Sequence, residues 1–409
     1  MDTRCQQLME KGVQIPVPES VWISPDVDLN RISGNGVILH PGCRISGEDT
    51  LIHDHAVLGR EAPVTLENGQ VGPGVALNGG FFSHATFLAG ASMGSGAHVR
   101  EGCLLEEQAS GAHTVGLKQT ILAPFVTLGS LINFCDCYMA GGTDRKNHSE
   151  VGSSYIHFNY TPNQDKATAS LIGDVPRGVM LNQPPVFLGG QGGLVGPVRL
   201  AYGTVIAAGT LWRKDETRPH RLIFGGAVKA GNVARGPGVY GNVNRIVQCN
   251  LVYIANLLAL RAWYRQVRSR FIRADYPEGL HEGALTRIEG GVRERIRRLV
   301  ECMGRFETSA RQIMALQPEE RPVPKTAQRQ LALFAAKDAV EEDLNFLLSE
   351  GVEGNLAVRD AFLDKLDPSG GYIETITGLP ASVSAQGTHW LDSIVSDVLA
   401  RVRLPDDGR

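Results

Sequence analysis

A parallel β-helix of hexapeptide repeats, followed by an α-helical domain, is the fold class this sequence predicts. Three observations carry the prediction. Between residues 151 and 211 apolar side chains recur about every sixth position, as at Val186/Leu188, Leu194/Val195, Leu200 and Val205/Ile206, with small residues between them. The 48 glycines among 409 residues exceed ordinary usage, and the turns of such a repeat account for them. From Asn244 onward the apolar period becomes helical. A six-residue period marks coils of three short strands and three turns, each with too little core to stand alone, so the coils stack around a continuous apolar column.

Residues 1–29 read as a lead-in, because Pro16, Pro18 and Pro25 exclude a long helix. The β-helix domain is expected over 30–215, with apolar pairs at Val37/Ile38, Leu51/Ile52, Val57/Leu58, Val75/Leu77 and Phe87/Leu88. The interval is uneven, so loops must bulge from several coils, and the unusual stretch 77–82 reads as a local excursion. The helical region is expected over 245–409. Ile246, Leu251, Ile254, Leu257/Leu258 and Tyr264 form the apolar stripe of a helix of about 25 residues. A second helix is expected over 280–316, a proline-rich linker over 317–324, and a third helix over 326–350. Arg287, Arg293, Arg295, Arg297 and Arg298 alternate with Glu289, Glu294 and Glu301, which reads as a solvated face, with a phosphate or acidic partner as the alternative. Such a helical tail is expected to cover the open end of the coils or to join subunits.

A net charge of −3 argues against a general nucleic-acid binder. Seven cysteines without framework spacing fit reduced thiols in a cytoplasm. The first 14 residues lack the apolar core of a signal peptide, and the apolar run 251–260 is too short to span a bilayer, so no membrane partner is expected.

Chemistry is expected where the repeat breaks, at 158–168, which contains Asn159, Tyr160 and Lys166. The chain reads Val151-Gly152-Ser153-Ser154-Tyr155-Ile156, then Asn159-Tyr160, Lys166, Ile172-Gly173-Asp174, Leu194-Val195-Gly196-Pro197-Val198 and Ile206-Ala207-Ala208-Gly209-Thr210. This stretch resembles the C-terminal acetyltransferase domain of the bifunctional N-acetylglucosamine-1-phosphate uridyltransferases, a left-handed β-helix. That family carries I-G-A-G-T-I-x-x-N-Y, a loop lysine, I-G-D, L-V-A-P-V and I-A-A-G-T. The resemblance covers about a sixth of the chain well and does not reach the last 165 or so residues. It implies acetyl coenzyme A as co-substrate, a sugar phosphate or sugar nucleotide as acceptor, and a homotrimer with the site between subunits.

By that resemblance Asn159 and Tyr160 contact the acceptor and the reacting group, and Lys166 is the loop lysine; Arg177, just past the loop, is a second candidate cation for the acceptor phosphate, and the small Gly190, Ala207 and Ala208 would let a pantetheine arm lie along the coil edge. Hexapeptide register puts Ser130 where the family has its catalytic histidine, and an insertion of about six residues falls within 141–150. Another base is then required, since an amine attacks a thioester only when unprotonated. His157, near Asn159, and His148, in the insertion beside Asp144, are the first candidates, and His113 the third. A zinc reading, as in three-histidine β-helices, finds only His53-Asp54-His55 closely spaced, so no metal is expected. The expected function is acyl transfer. The alternative is a non-catalytic β-helix that binds a sugar nucleotide or serves as a scaffold. Because the repeat begins near residue 30, nucleotidyl transfer is not expected.

Overall fold

The computed structural model describes residues 3–225, 231–232, 236–316 and 322–406. A parallel β-solenoid of about 11 turns, of the expected β-helix kind, makes up the first half. Successive coils pair in register on three faces. On the first face Ile38 pairs with Val57, Val57 with Ala76 and Ser92 with Ser110. On the second face Arg44 pairs with Thr65 and His98 with Gly116. On the third face Leu51 pairs with Gln70 and Thr86 with Leu104. Inward positions such as Leu39, Ile45, Leu58, Val75, Leu128, Leu188 and Ile206 are buried and form the apolar column.

The strands Gly116–Leu122 and Asn133–Met139 run round the corner from the second face to the third, turning at Gln119 and Asp136, both with positive φ. Pairing begins before residue 30, at Gln14 with Ile38 and Trp22 with Arg44, and reaches Leu222–Ile223, past residue 215. A short helix α1 (Thr3–Lys11) precedes the first coil and buries Cys5 and Leu8. The stretch 77–82 stays within the coils, Ala76–Leu77 on the first face and Gly80–Ser83 on the second. Two larger insertions interrupt the third-to-first-face turn. One is a hairpin pairing Gly142–Asp144 with Asn147–His148, and the other carries the short helix α2 (Val175–Gly178).

The helices are α3 (Val243–Gln266), α4 (Glu278–Gly304), α5 (Phe306–Ala315), α6 (Lys325–Glu350), α7 (Leu356–Leu363), α8 (Tyr372–Thr377) and α9 (Ala381–Arg401). The expected helix 280–316 is thus two, broken at Arg305, and residues 317–321 of the expected linker lie outside the described residues. The helices do not sit on the open end of the solenoid. They lie lengthwise on its third face, whose outward residues Gln70, Thr86, Leu104 and Leu171 are therefore buried. Helix α4 follows the coils: Arg287 Nη1 donates to His84 O at 3.1 Å, and Arg295 pairs with Asp136 at 2.8 Å. Helix α3 runs alongside: Asn250 Nδ2 donates to Ala167 O at 2.9 Å, Asn256 Oδ1 accepts from Val175 N at 2.9 Å, and Arg268 pairs with Glu107. By length and composition α3 and its continuation to Phe271 could cross a membrane, but 78% of its most apolar window is buried, as in a core helix.

Candidate functional site

The corner between the first and second faces carries a polar ladder. Leu131 N donates to His113 O, Ser154 N to Ser130 O, Gln191 N to Ser153 O and Gly209 N to Gly190 O, so His113, Ser130, Ser153 and Gly190 stand one coil above another. Ser130 Oγ lies 2.9 Å from His113 Nδ1, and Ser153 Oγ accepts from Ser130 N at 3.1 Å. His113 is exposed, and its Nε2 makes no hydrogen bond among the described residues. When Nδ1–H donates to Ser130 Oγ, the ring is held in the tautomer that keeps a basic lone pair on Nε2. The position that resemblance gave to a histidine therefore holds a hydroxyl, with an imidazole on it from the preceding coil.

Gly190, Ala207 and Ala208 continue the same corner. The coils press close here: a Cβ on Gly190 would lie 2.7 Å from Ser153 O, and one on Gly189 2.3 Å from Ala208 N. Close coil stacking demands small residues here, and the result is a narrow, partly exposed edge beside His113 and Ser130.

The other expected residues lie on different corners. His157 alternates inward between exposed Ile156 and Phe158, opposite Leu194 of the next coil, and is 2% exposed. Its Nδ1 donates to Cys135 O at 2.7 Å, and Ser170 Oγ–H, itself accepting from Val198 N, fits as the donor to Nε2 at 2.7 Å. Both ring nitrogens are occupied inside the column, so His157 is not presented to a substrate. Asn159, at the second-to-third-face corner, donates to Asp136 Oδ2 at 2.7 Å, and Thr168 Oγ1 donates to its carbonyl. Tyr160 is 56% exposed, and Lys166 is partly exposed with its Nζ in no ion pair among the described residues; its backbone O accepts from Arg295. Behind this loop a 300 Å³ cavity is lined by Thr161, Asp165, Tyr240 and Arg245.

The third-to-first-face corner holds Arg177 and His148. Asp174 caps α2 and pairs with Arg177, whose guanidinium also meets Asp392 of α9 at 3.0 and 3.3 Å. The flanking carboxylates raise its pKa against the opposing effect of burial, and they already neutralise it, so Arg177 is not a spare phosphate ligand. His148 ends the hairpin, opposite Gly142, with Nδ1 buried and unpartnered. No group of three or more metal-ligating side chains is placed to hold an ion among the described residues.

Burial holds the His157 imidazole down to about 4. The folded chain therefore excludes a proton that the unfolded chain binds below about 6.5, so the stabilisation is complete above that pH and is lost as pH falls toward 4. Glu106, raised by burial to about 7, has the opposite slope between the ordinary carboxylate range and 7, so wild-type stability mixes the two. The difference between wild type and His157→Gln isolates the histidine. In urea unfolding the two stabilities should differ most at pH 8 and converge by about 1.4 kcal/mol per pH unit below 6.5. A constant gap down to pH 5 would remove His157 from this linkage.

Fold and corner together define a hexapeptide-type parallel β-solenoid carrying an imidazole–hydroxyl pair. No family model matches the chain. It is similar to the bifunctional protein GlmU of Synechococcus elongatus, 27% identical over 210 residues, covering 51% of this chain and 41% of that protein. The GlmU of Mycolicibacterium smegmatis is 28% identical over 220 residues, 54% of this chain and 39% of its own length. That of Pelobacter propionicus is 26% identical over 211 residues, 51% and 40%. The chain thus spans about two-fifths of the length of these curated relatives.

Proposed function

We propose that this protein is a coenzyme A-dependent acyltransferase, transferring an acyl group, in the first instance acetyl, to an amine or hydroxyl of a sugar phosphate or sugar nucleotide. The observation that carries this reading is His113 Nδ1 at 2.9 Å from Ser130 Oγ on an exposed corner. His113 Nε2 takes the acceptor's proton as its nitrogen or oxygen attacks the thioester carbonyl, and the imidazolium can return that proton to the departing thiolate. Ser130 orients the ring. The narrow edge at Gly190, Ala207 and Ala208 suits a thin pantetheine chain, and acetyl coenzyme A would supply the acyl group there.

A homotrimer completes the site. Phe187, Val205 and Leu222 form an exposed apolar row on the first face, and Ile156 and Leu211 are exposed on the second, so apolar surface flanks the corner on both sides. Closed rings bury such rows, and a neighbouring copy would bring its Tyr160 and Lys166 to the acceptor phosphate, which no corner of a single chain does. All seven cysteines are free and buried, in keeping with a cytoplasmic enzyme. His148 and Arg177 have no part in this scheme, and Asn159 serves by holding the loop.

The test is turnover of acetyl coenzyme A with amino-sugar phosphates, read as thiol release, beside a thermal shift with coenzyme A. Saturable shift and transfer are expected. Neither one occurring would overturn the reading in favour of a sugar-nucleotide-binding scaffold, which a buried His157 and an Asn159 engaged with Asp136 would also suit.

A further inference from the structure

Away from the proposed acyl-transfer corner, the first turns of α4 meet the outer side of the third face and enclose a cavity of 130 Å³, many times what one water needs. Two guanidiniums, those of Arg31 and Arg287, and two carboxylates, those of Asp49 and Glu282, line it beside Gln70. Groups of opposite sign around so small a space would ordinarily pair. Here none of the four makes an ion pair, with one another or with any other group among the described residues. Gln70 does not serve them in place of a partner side chain. Its amide donates to Asp49 O and Asn68 O, and its Oε1 accepts from Thr86 Oγ1 at 2.8 Å.

Arg287 is 8% exposed, and its Nη1 donates to His84 O at 3.1 Å. Its Nε is sealed off without a partner, whereas Nη2, equally without a partner among the described residues, is not sealed off. Burial pushes the guanidinium pKa down, and the charge of Asp49, which acts the other way, does not offset it. A buried guanidinium with no anion in contact is costly, and a carboxylate hydrogen-bonded to it relieves that cost. Arg31 is half-buried. It donates through Nε to Thr50 O at 3.2 Å and through Nη2 to Asp49 O at 3.3 Å, which leaves Nη1 without a partner among the described residues. Asp49 and Glu282 are exposed, so positive charge lies deep in the cavity and negative charge at its mouth. A simple anion would have to pass two carboxylates to reach the guanidiniums, and a simple cation at the carboxylates would face two guanidiniums. A molecule that carries both charges satisfies all four groups.

We propose that this cavity binds a small α-amino acid as its zwitterion, the carboxylate on Arg287 Nη2 and Arg31 Nη1 and the ammonium between Asp49 and Glu282. Glycine is the probe, because it carries both charges and has no side chain for the cavity to reject. It is titrated calorimetrically into the full-length protein at neutral pH, with acetate and methylammonium, each keeping one of the charges, as controls. Saturable binding of glycine is expected, with each control at least about tenfold weaker. Arg287→Met should weaken glycine by at least about tenfold. Glu282→Lys, at an exposed position, should weaken glycine as much by repelling its ammonium while the melting temperature stays that of wild type, which covers the case in which Arg287→Met does not fold. The proposal is overturned if wild type shows no saturable binding of glycine, if either control binds as tightly, or if folded Arg287→Met or Glu282→Lys binds glycine like wild type.

Discussion

Replacing His113 by alanine should lower acyl transfer by about two to four orders of magnitude and leave coenzyme A binding and the melting temperature unchanged. The side chain is exposed, and exposed substitutions away from structural features usually change stability by no more than about 0.5 kcal/mol. A rate effect without a stability effect is therefore the signature of a base. Ser130→Ala removes the group at 2.9 Å that orients the ring, so a smaller loss in kcat is expected, with coenzyme A binding unchanged, since the imidazole would no longer be held in one tautomer. Lys166→Ala should raise the KM for a phosphorylated acceptor with little change in kcat, the pattern of lost uniform binding. If His113→Ala transfers at the wild-type rate, the imidazole of this corner is not the base.

That His113 is the histidine to test was not legible in the sequence, where His157 stood closer to Asn159. Strand parity already held the correction: Ile156 and Phe158 point out, so His157 must point into the column, paired opposite Leu194. Hexapeptide period, turn glycines and the change to a helical period placed the solenoid and the helices, because each is a local pattern repeated many times. The pairing of His113 with Ser130 joins residues 17 apart, and only the length of a coil brings them together. The arginine-rich stretch divides in the same way. Arg293, Arg297 and Arg298 pair with Glu289, Glu294 and Glu301 on the outer side, as a solvated face does. Arg287 and Arg295 share the side of α4 that holds Ile288, Val292 and Leu299, and they are buried against the solenoid. An amphipathic stripe shows that a helix has an apolar side but not what covers it. The third face, with its outward Gln70, Thr86 and Leu171, gave no sign in the repeat of being a binding surface for the helices.

Breaking the Asp136–Arg295 pair should destabilise the protein by about 3 kcal/mol or more and loosen the loop at 159–168. Asp136 is 3% exposed and Arg295 2%, and they meet at 2.8 Å. Asp136 also accepts from Asn159 Nδ2 at 2.7 Å, while Arg295 Nη1 donates to Lys166 O at 3.1 Å, so both ends of the loop hang on this pair. Asp136→Asn is the suitable change because asparagine keeps the shape and tolerates the positive φ of 61°, leaving the charge as the variable. Among the described residues the guanidinium would then retain Glu294, at 3.7 Å, as its one carboxylate, and its Nε already lacks a partner there. An uncompensated buried charge costs more than the pair contributes, so Asp136→Asn combined with Arg295→Met should be destabilised by less than the sum of the single changes. Urea unfolding of the four proteins measures that coupling, and faster amide exchange at 159–168 in the single variants reports the loop. Additive single effects, or a loop as protected in Asp136→Asn as in wild type, would show that the pair does not hold the loop to α4. The loop would then depend on its own Thr161, Asp165 and Tyr240 contacts instead.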